Sequence, residues 1–303
     1  MCFSAKVIHE LKKLGIHFNA QIDYGILEEL YELKEHGEKI KFTKAFEFNF
    51  SHPKNSQEKK ISELIKKSQA AQLTQIEQDL FRQKERIATA ERKLVSKPTK
   101  TALKEKEVAE RQLSRLKSRL ERLNSHELTE EDSRIFAFDW APVIVMRKNE
   151  RVITPMRYHL RPSGMKADFD KKYPGCYNAR RDSLTGFWRN QFGHNHAILI
   201  ASAFYEHVAG NVLRFNPKGF NHMVIPCIWD HWESIDMPGF NSFAMITDNP
   251  PPEVAEAGHD RCPIFIKESR IDDWLQPKGK SDLDLFNILD DRETPYYEHA
   301  LTG

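Results

Sequence analysis

The feature that most restricts this chain is a run of apolar residues spaced alternately by three and four. Leu73, Ile76, Leu80, Ile87 and Leu94 keep this rhythm, with Gln83 and Ala90 at the intervening seam positions. Ala109, Leu113, Leu116, Leu120 and Leu123 repeat it downstream. Such spacing places each set on one stripe of a helix. Between the runs lies Ser96-Lys97-Pro98-Thr99, and Pro98 cannot continue the first helix but suits the opening of a second. The pattern predicts antiparallel helices over 56–95 and 99–124, a hairpin inserted over 51–130. Residues 51–124 carry a net charge of +9 and the remainder −7, although the whole chain is only +2. A basic arm on a mildly acidic body fits a polyanionic partner, but a charged helical face can equally be a solvated structural coiled coil.

The rest reads as α+β. Residues 5–14 and 22–36 have helical spacing, through Ile8, Leu11 and Leu14 and through Ile26, Leu30 and Leu33. Strand-like runs follow at 42–50, 141–146, 197–204, 212–215, 223–229 and 243–247, separated by Pro, Gly and Asn turns. They predict a curved, mostly antiparallel, barrel-like sheet built from residues 1–50 and 131–280, followed by a loosely packed polar tail over 281–303. No Gly-x-Gly-x-x-Gly or P-loop occurs, so no nucleotide cofactor is expected. No apolar run approaches the length of a membrane span, and no secretory signal is visible. The four cysteines form no Cys-x-x-Cys pair, which argues against a disulfide framework and a zinc ribbon. A reducing, cytoplasmic setting is expected.

Cys2 carries the most suggestive chemistry. Removal of Met1 would leave an α-amine and a thiol on adjacent carbons. The α-amine has a reference pKa of about 7.7–8.0, so a useful fraction is nucleophilic at neutral pH. Amines attack aldehydes to give Schiff bases, and the neighbouring thiol can close a five-membered thiazolidine on the same carbon. Three further segments stand out: Asn178-Ala179-Arg180 after a Pro-Gly turn, Phe204-Tyr205-Glu206 at the end of an apolar strand, and His259-Asp260-Arg261-Cys262-Pro263 entering the run 264–266. Singly, each has a structural explanation: a capped turn, the first exposed residue of a strand, a packed loop histidine.

Together and in this order they resemble the SOS response-associated peptidase (SRAP) family, whose pattern is Met-Cys, Asn-Ala-Arg, Phe-Tyr-Glu and His-Asp-Arg-x-Pro. The resemblance covers 134–276 well and 1–50 weakly. It implies a covalent crosslink between the mature N-terminal Cys2 and abasic sites in single-stranded DNA, made without metal or organic cofactor. By the same resemblance His259 protonates the sugar oxygen, Glu206 shuttles protons, Asn178 holds the N-terminus, and the chain removes its own Met1. Arg180 is the motif-matched phosphate contact, with Arg189, Arg161 and a base-stacking Trp188 as further candidates. It also implies a role in the DNA damage response, with nucleoid association when bound to DNA. The chain departs from the family at Phe3-Ser4, where Gly-Arg is usual, at His207, where Trp is usual, and over 157–164, where Trp-Gly-Leu-Ile-Pro-Ser-Trp is usual. Three alternatives remain open: a non-covalent DNA-binding scaffold working through the hairpin, a cysteine-type peptidase, and a zinc hydrolase using His194, His196 and Cys176.

Overall fold

The structure, a computed structural model, describes residues 4–235 and 237–302. Its first elements are β1 (Ser4–Val7), α1 (Leu11–His17), β2 (Ala20–Ile22), α2 (Tyr24–Glu35), α3 (Lys44–Phe48), α4 (Ser56–Ser96) and α5 (Lys100–Asn124). The middle of the chain forms β3 (Arg134–Phe136), β4 (Trp140–Arg147), β5 (Glu150–Tyr158), α6 (Phe169–Lys172), β6 (Asn178–Arg180), β7 (His196–Val208), β8 (Asn211–Pro217) and β9 (Met223–Ser234). The last elements are β10 (Met237–Asp248), α7 (Pro252–Glu256), β11 (Cys262–Pro263), α8 (Ile271–Leu275), α9 (Asp282–Asp290) and β12 (Tyr297–Leu301). The chain divides into two compact units. One holds the chain up to Leu30, Lys39–His52 and everything from Thr129 onward; the other holds Tyr31–Glu38 and Pro53–Leu128.

The first unit is a mixed α+β body around a twelve-stranded, mostly antiparallel sheet. Pairings run round a circuit from β7 through β9, β10, β5 and β4 back to β7. The circuit is not a clean barrel. β10 meets β5 over two residue pairs, and β4 meets β7 at Ile144–Ile198 alone among the described residues. Most of the pairing within the circuit therefore lies in the β9–β10, β4–β5 and β7–β9 ladders. β7 is buried on both faces from His196 to Ala201, so its sequence reads as an unbroken apolar run rather than an alternation.

Four expectations change. Ser4–Val7 is a strand, not the start of a helix, because its backbone pairs with β3 on one side and β7 on the other; the helix begins at Leu11. The run over 42–50 is helical at its centre: Thr43 caps α3 by accepting the Phe46 N–H. Phe42, Phe46 and Phe50 recur every four residues and line up beside this helix, Phe42 stacked on Phe46 at 4.7 Å and Phe50 tilted against Phe46 at 6.1 Å. The strand after His259 is Cys262–Pro263 rather than 264–266: the Ile264 N–H still donates to Ile246 of β10, but Ile266 turns away and donates to Val224 of β9. The described part of the predicted tail, 281–302, is not loosely packed. Ser281 and Asp284 form a capping box for α9, whose Leu285, Ile288 and Leu289 are buried, and β12 extends the sheet beside β8.

The second unit is dominated by the helical hairpin, with ends within a residue of those the sequence predicts. Asn55 accepts the Glu58 N–H at 2.8 Å, while the Glu58 carboxylate accepts the Lys54 N–H at 2.8 Å. Thr99, directly after Pro98, caps α5 through the Ala102 N–H at 3.2 Å. Ile76 and Ala90 on α4 and Ala102 and Ala109 on α5 are the buried seam positions. Small residues there let the helices approach closely. Lys106–Glu91 at 2.8 Å and Lys93–Glu105 at 3.4 Å join the helices at the surface and add little. Ile76→Ala should lower the stability of this unit by about 2–4 kcal/mol, read as an earlier transition in urea denaturation followed by helical circular dichroism.

Candidate functional site

The site is assembled from β1, β7, β10 and the turn after α7. Ser4 lies opposite Tyr205 in the β1–β7 ladder, which sets the beginning of the described chain beside the residue preceding Glu206. Glu206 ends the buried stretch of β7 and is wholly buried itself. Its partner arrives from 53 positions downstream: His259 Nε2 lies 2.9 Å from Glu206 Oε2.

His259 is placed by Gly258. That residue has φ +97°, and a Cβ there would sit 2.8 Å from Val208 Cγ1, so both backbone conformation and space require glycine. The turn is closed by the Gly258 N–H donating to Ala255 O at 2.9 Å and the His259 N–H to Val254 O at 3.2 Å. The second ring nitrogen, Nδ1, faces Arg261, whose carbonyl lies at 3.0 Å and whose N–H lies at 3.2 Å. A protonated ring can therefore donate to both Glu206 and the Arg261 carbonyl. A ring that keeps its proton on Nε2 can instead accept the Arg261 N–H at Nδ1. Both protonation states find partners, as a group that gives and takes protons requires.

Electrostatics poise the pair. Burial lifts the Glu206 carboxyl above the ordinary glutamate range, opposed in part by the hydrogen bond from His259. For His259, burial alone would favour the neutral ring, but the hydrogen bond to Glu206 and its charge outweigh this and raise the pKa above 6.5. Each group thus holds a proton more tightly than it would in water.

Asn178 reaches the same sheet from another direction. It is buried on β6, which runs parallel to β10 with Asn178 opposite Met245 and Arg180 opposite Thr247. Thr247 also faces Pro263 of β11, so β10 carries the Asn-Ala-Arg segment on one edge and the end of the His259 segment on the other. Cys2 lies outside the described residues.

The proposed strand-binding residues separate into two groups. Arg180 and Arg189 are exposed, with Arg180 held by Asp182 at 2.6 Å. Arg161 and Trp188 are not available. Arg161 is 5% exposed, its guanidinium binds Asp170, and it lies over the Trp232 ring at 4.3 Å. Trp188 is 3% exposed and packs edge-on against Phe187 at 4.7 Å; Phe187, 51% exposed, is the open aromatic of that turn. The zinc alternative also fails. His196 is buried, stacked on Trp274 at 3.8 Å, and both its nitrogens are used, by Trp274 O and the Gly193 N–H. Burial pushes it down to about 3 and the Cys176 thiol up to about 12.

Arg134 is a site residue the sequence did not flag. Its Nε donates to Ser4 Oγ at 2.8 Å, and its guanidinium lies 3.8 Å over the Tyr205 ring and 4.8 Å over Phe136. No motif marks it; only the pairing of β3 with β1 brings it there.

A family model described as SOS response associated peptidase (SRAP) matches residues 98–300, well over half of the chain. The chain belongs to the SRAP family. Membership links it to DNA-damage and abasic-site processing. No curated protein matches. Among solved structures, a protein of Bacteroides thetaiotaomicron is 15% identical, with 56% of this chain and 77% of that one covered and a TM-score of 0.47. A Bordetella bronchiseptica protein is 21% identical over 59% of this chain and 90% of its own, TM-score 0.47. A phage-related protein of the same organism is 13% identical over 59% and 85%, TM-score 0.43. No helix among the described residues of this SRAP chain is long and apolar enough to cross a membrane.

The His259–Glu206 contact has a pH signature. Because the folded pKa of His259 is raised, its contribution to stability is complete below the ordinary value of 6.5 and is lost as pH rises through the folded value. Imidazole NMR should show His259 titrating above 6.5 in the native chain. In Glu206→Gln, with burial left and the negative charge gone, it should titrate below that value.

Proposed function

We propose that this SRAP protein crosslinks itself to abasic sites in single-stranded DNA through Cys2, after removing its own Met1. The observation that carries the reading is the buried Glu206–His259 pair adjoining the strand that begins two residues after Cys2. An abasic deoxyribose reacts with amines only as its open aldehyde. His259, whose hydrogen bond to Glu206 favours the protonated ring, donates to the ring oxygen and opens the hemiacetal. The α-amine of Cys2 adds to the freed C1′ carbonyl, and the resulting carbinolamine loses water to give an imine. The Cys2 thiol then adds across the C=N bond, its proton passing to nitrogen, and a thiazolidine results. Amine, thiol and aldehyde thus yield one ring and one water, with no change of oxidation state. Glu206, held in a dry site with a raised pKa, carries protons between amine, carbinolamine and water. Asn178 orients the N-terminal amine through its side-chain amide.

Arg180 and Arg189 supply phosphate contacts, Arg180 by exchanging Asp182 for the strand. Phe187 replaces the buried Trp188 as the surface on which an unpaired base stacks. In removal of Met1 the Cys2 thiol attacks the Met1 carbonyl, His259 gives a proton to the departing Cys2 amine, and water hydrolyses the resulting thioester to release methionine.

Incubation with an abasic single-stranded oligonucleotide should give a heat-stable, slower-migrating band, and intact mass should show loss of Met1. Cys2→Ala should abolish the band, and a normal yield from that variant overturns the reading. His259→Ala should slow band formation by about 10²–10⁴-fold. Salt-sensitive DNA binding without any covalent band would instead favour the basic hairpin as the working part.

A further inference from the structure

Away from Glu206 and His259, three metal-ligating side chains from distant parts of the sequence converge within the sheet-bearing unit. His17 is the last residue of α1, His222 immediately precedes β9, and Glu268 opens the 3-10 turn Glu268–Arg270 ahead of α8. Both imidazoles aim Nε2 at the same carboxylate. His222 Nε2 lies 2.8 Å from Glu268 Oε1, and His17 Nε2 lies 3.2 Å from each Glu268 oxygen. One ligand atom from each residue falls within 4.8 Å of the other two.

The rings are held by packing. Phe18 is buried, and its ring meets His17 edge-on at 4.5 Å and His222 edge-on at 5.7 Å. The imidazoles themselves cross at 85° with centroids 5.4 Å apart, so they approach the carboxylate from different directions. A simple ion pair needs one cation for one carboxylate; here two nitrogens of the same kind converge on one acceptor. Tetrahedral zinc, with bonds of about 2.0–2.1 Å, sets neighbouring donor atoms about 3.4 Å apart. The His17 separations of 3.2 Å approach that edge, and the His222 separation of 2.8 Å, a hydrogen-bond length, would open by about half an ångström.

The geometry points to a zinc-binding site formed by His17 Nε2, His222 Nε2 and the Glu268 carboxylate, with the fourth position open to water. Imidazole nitrogen selects zinc over magnesium and calcium, which take oxygen ligands. The ion ties the end of α1, the segment entering β9 and the turn before α8, so binding stabilises the fold. This departs from the metal-free chemistry expected for the crosslinking site and is independent of it.

The test uses the full chain carrying Cys2→Ala, so that zinc held by an N-terminal aminothiol is not counted. After chelator treatment the protein is titrated with zinc chloride against a chromogenic chelator, and thermal melting is followed in parallel. One equivalent should bind, with a rise in Tm. His17→Ala and His222→Ala, both partly exposed positions, should each weaken binding at least about tenfold and remove the Tm rise. Glu268→Gln should act in the same direction, and His194→Ala, an exposed histidine outside the cluster, should leave both readouts unchanged. Absence of saturable binding overturns the proposal. So does equal affinity in the His17 and His222 variants, with folding of each checked by circular dichroism.

Discussion

Strand β7 is the constraint on which the rest of the sheet-bearing unit depends. Its thirteen residues pair with β1, β4, β8 and β9, so it is anchored by backbone hydrogen bonds along most of its length. Burial on both faces makes every substitution in its first half a packing problem. That rigidity gives the carboxylate at its far end a fixed address. Glu206 emerges where the apolar run stops, but before solvent is reached, and a charge there is sustained only by a close, hydrogen-bonded partner.

That partner is set by a different device. The turn after α7 must pass close to Val208, and Gly258 is what lets it do so. A strand end and a glycine turn, neither of them catalytic, thus fix the separation between an acid and an imidazole. The electrostatics of the pair follow: burial raises the carboxyl, and the carboxylate raises the imidazole. Arg134 adds a third positioned group, its guanidinium lying flat on Tyr205 while its Nε reaches Ser4.

Much of this was legible in the residues. The hairpin followed from a three–four apolar rhythm interrupted at Pro98, because that rhythm is a local property and the helices bury their seam against each other. Asn178, Glu206 and His259 stood in short motifs whose order pointed to one family. What misled was exposure. Arg161 and Trp188 have the side chains of strand-binding residues, but Asp170 and the Trp232 ring claim the first, and core packing claims the second. The phenylalanine period over 42–50 was a helical signal hidden in an apolar run.

The sequence by itself determined the helical hairpin, the strand-rich body and the short motifs that carry Asn178, Glu206 and His259, since periodicity and motif order are local or linear properties. Only the tertiary structure decided that Ser4–Val7 is a strand, that β12 joins the sheet beside β8, that Arg134 meets Ser4 and Tyr205, and that His17, His222 and Glu268 converge. Those outcomes rest on contacts between residues up to some 250 positions apart. Such contacts are set by which strand edges and faces remain to be satisfied once the core has closed, and no window of neighbouring residues records that.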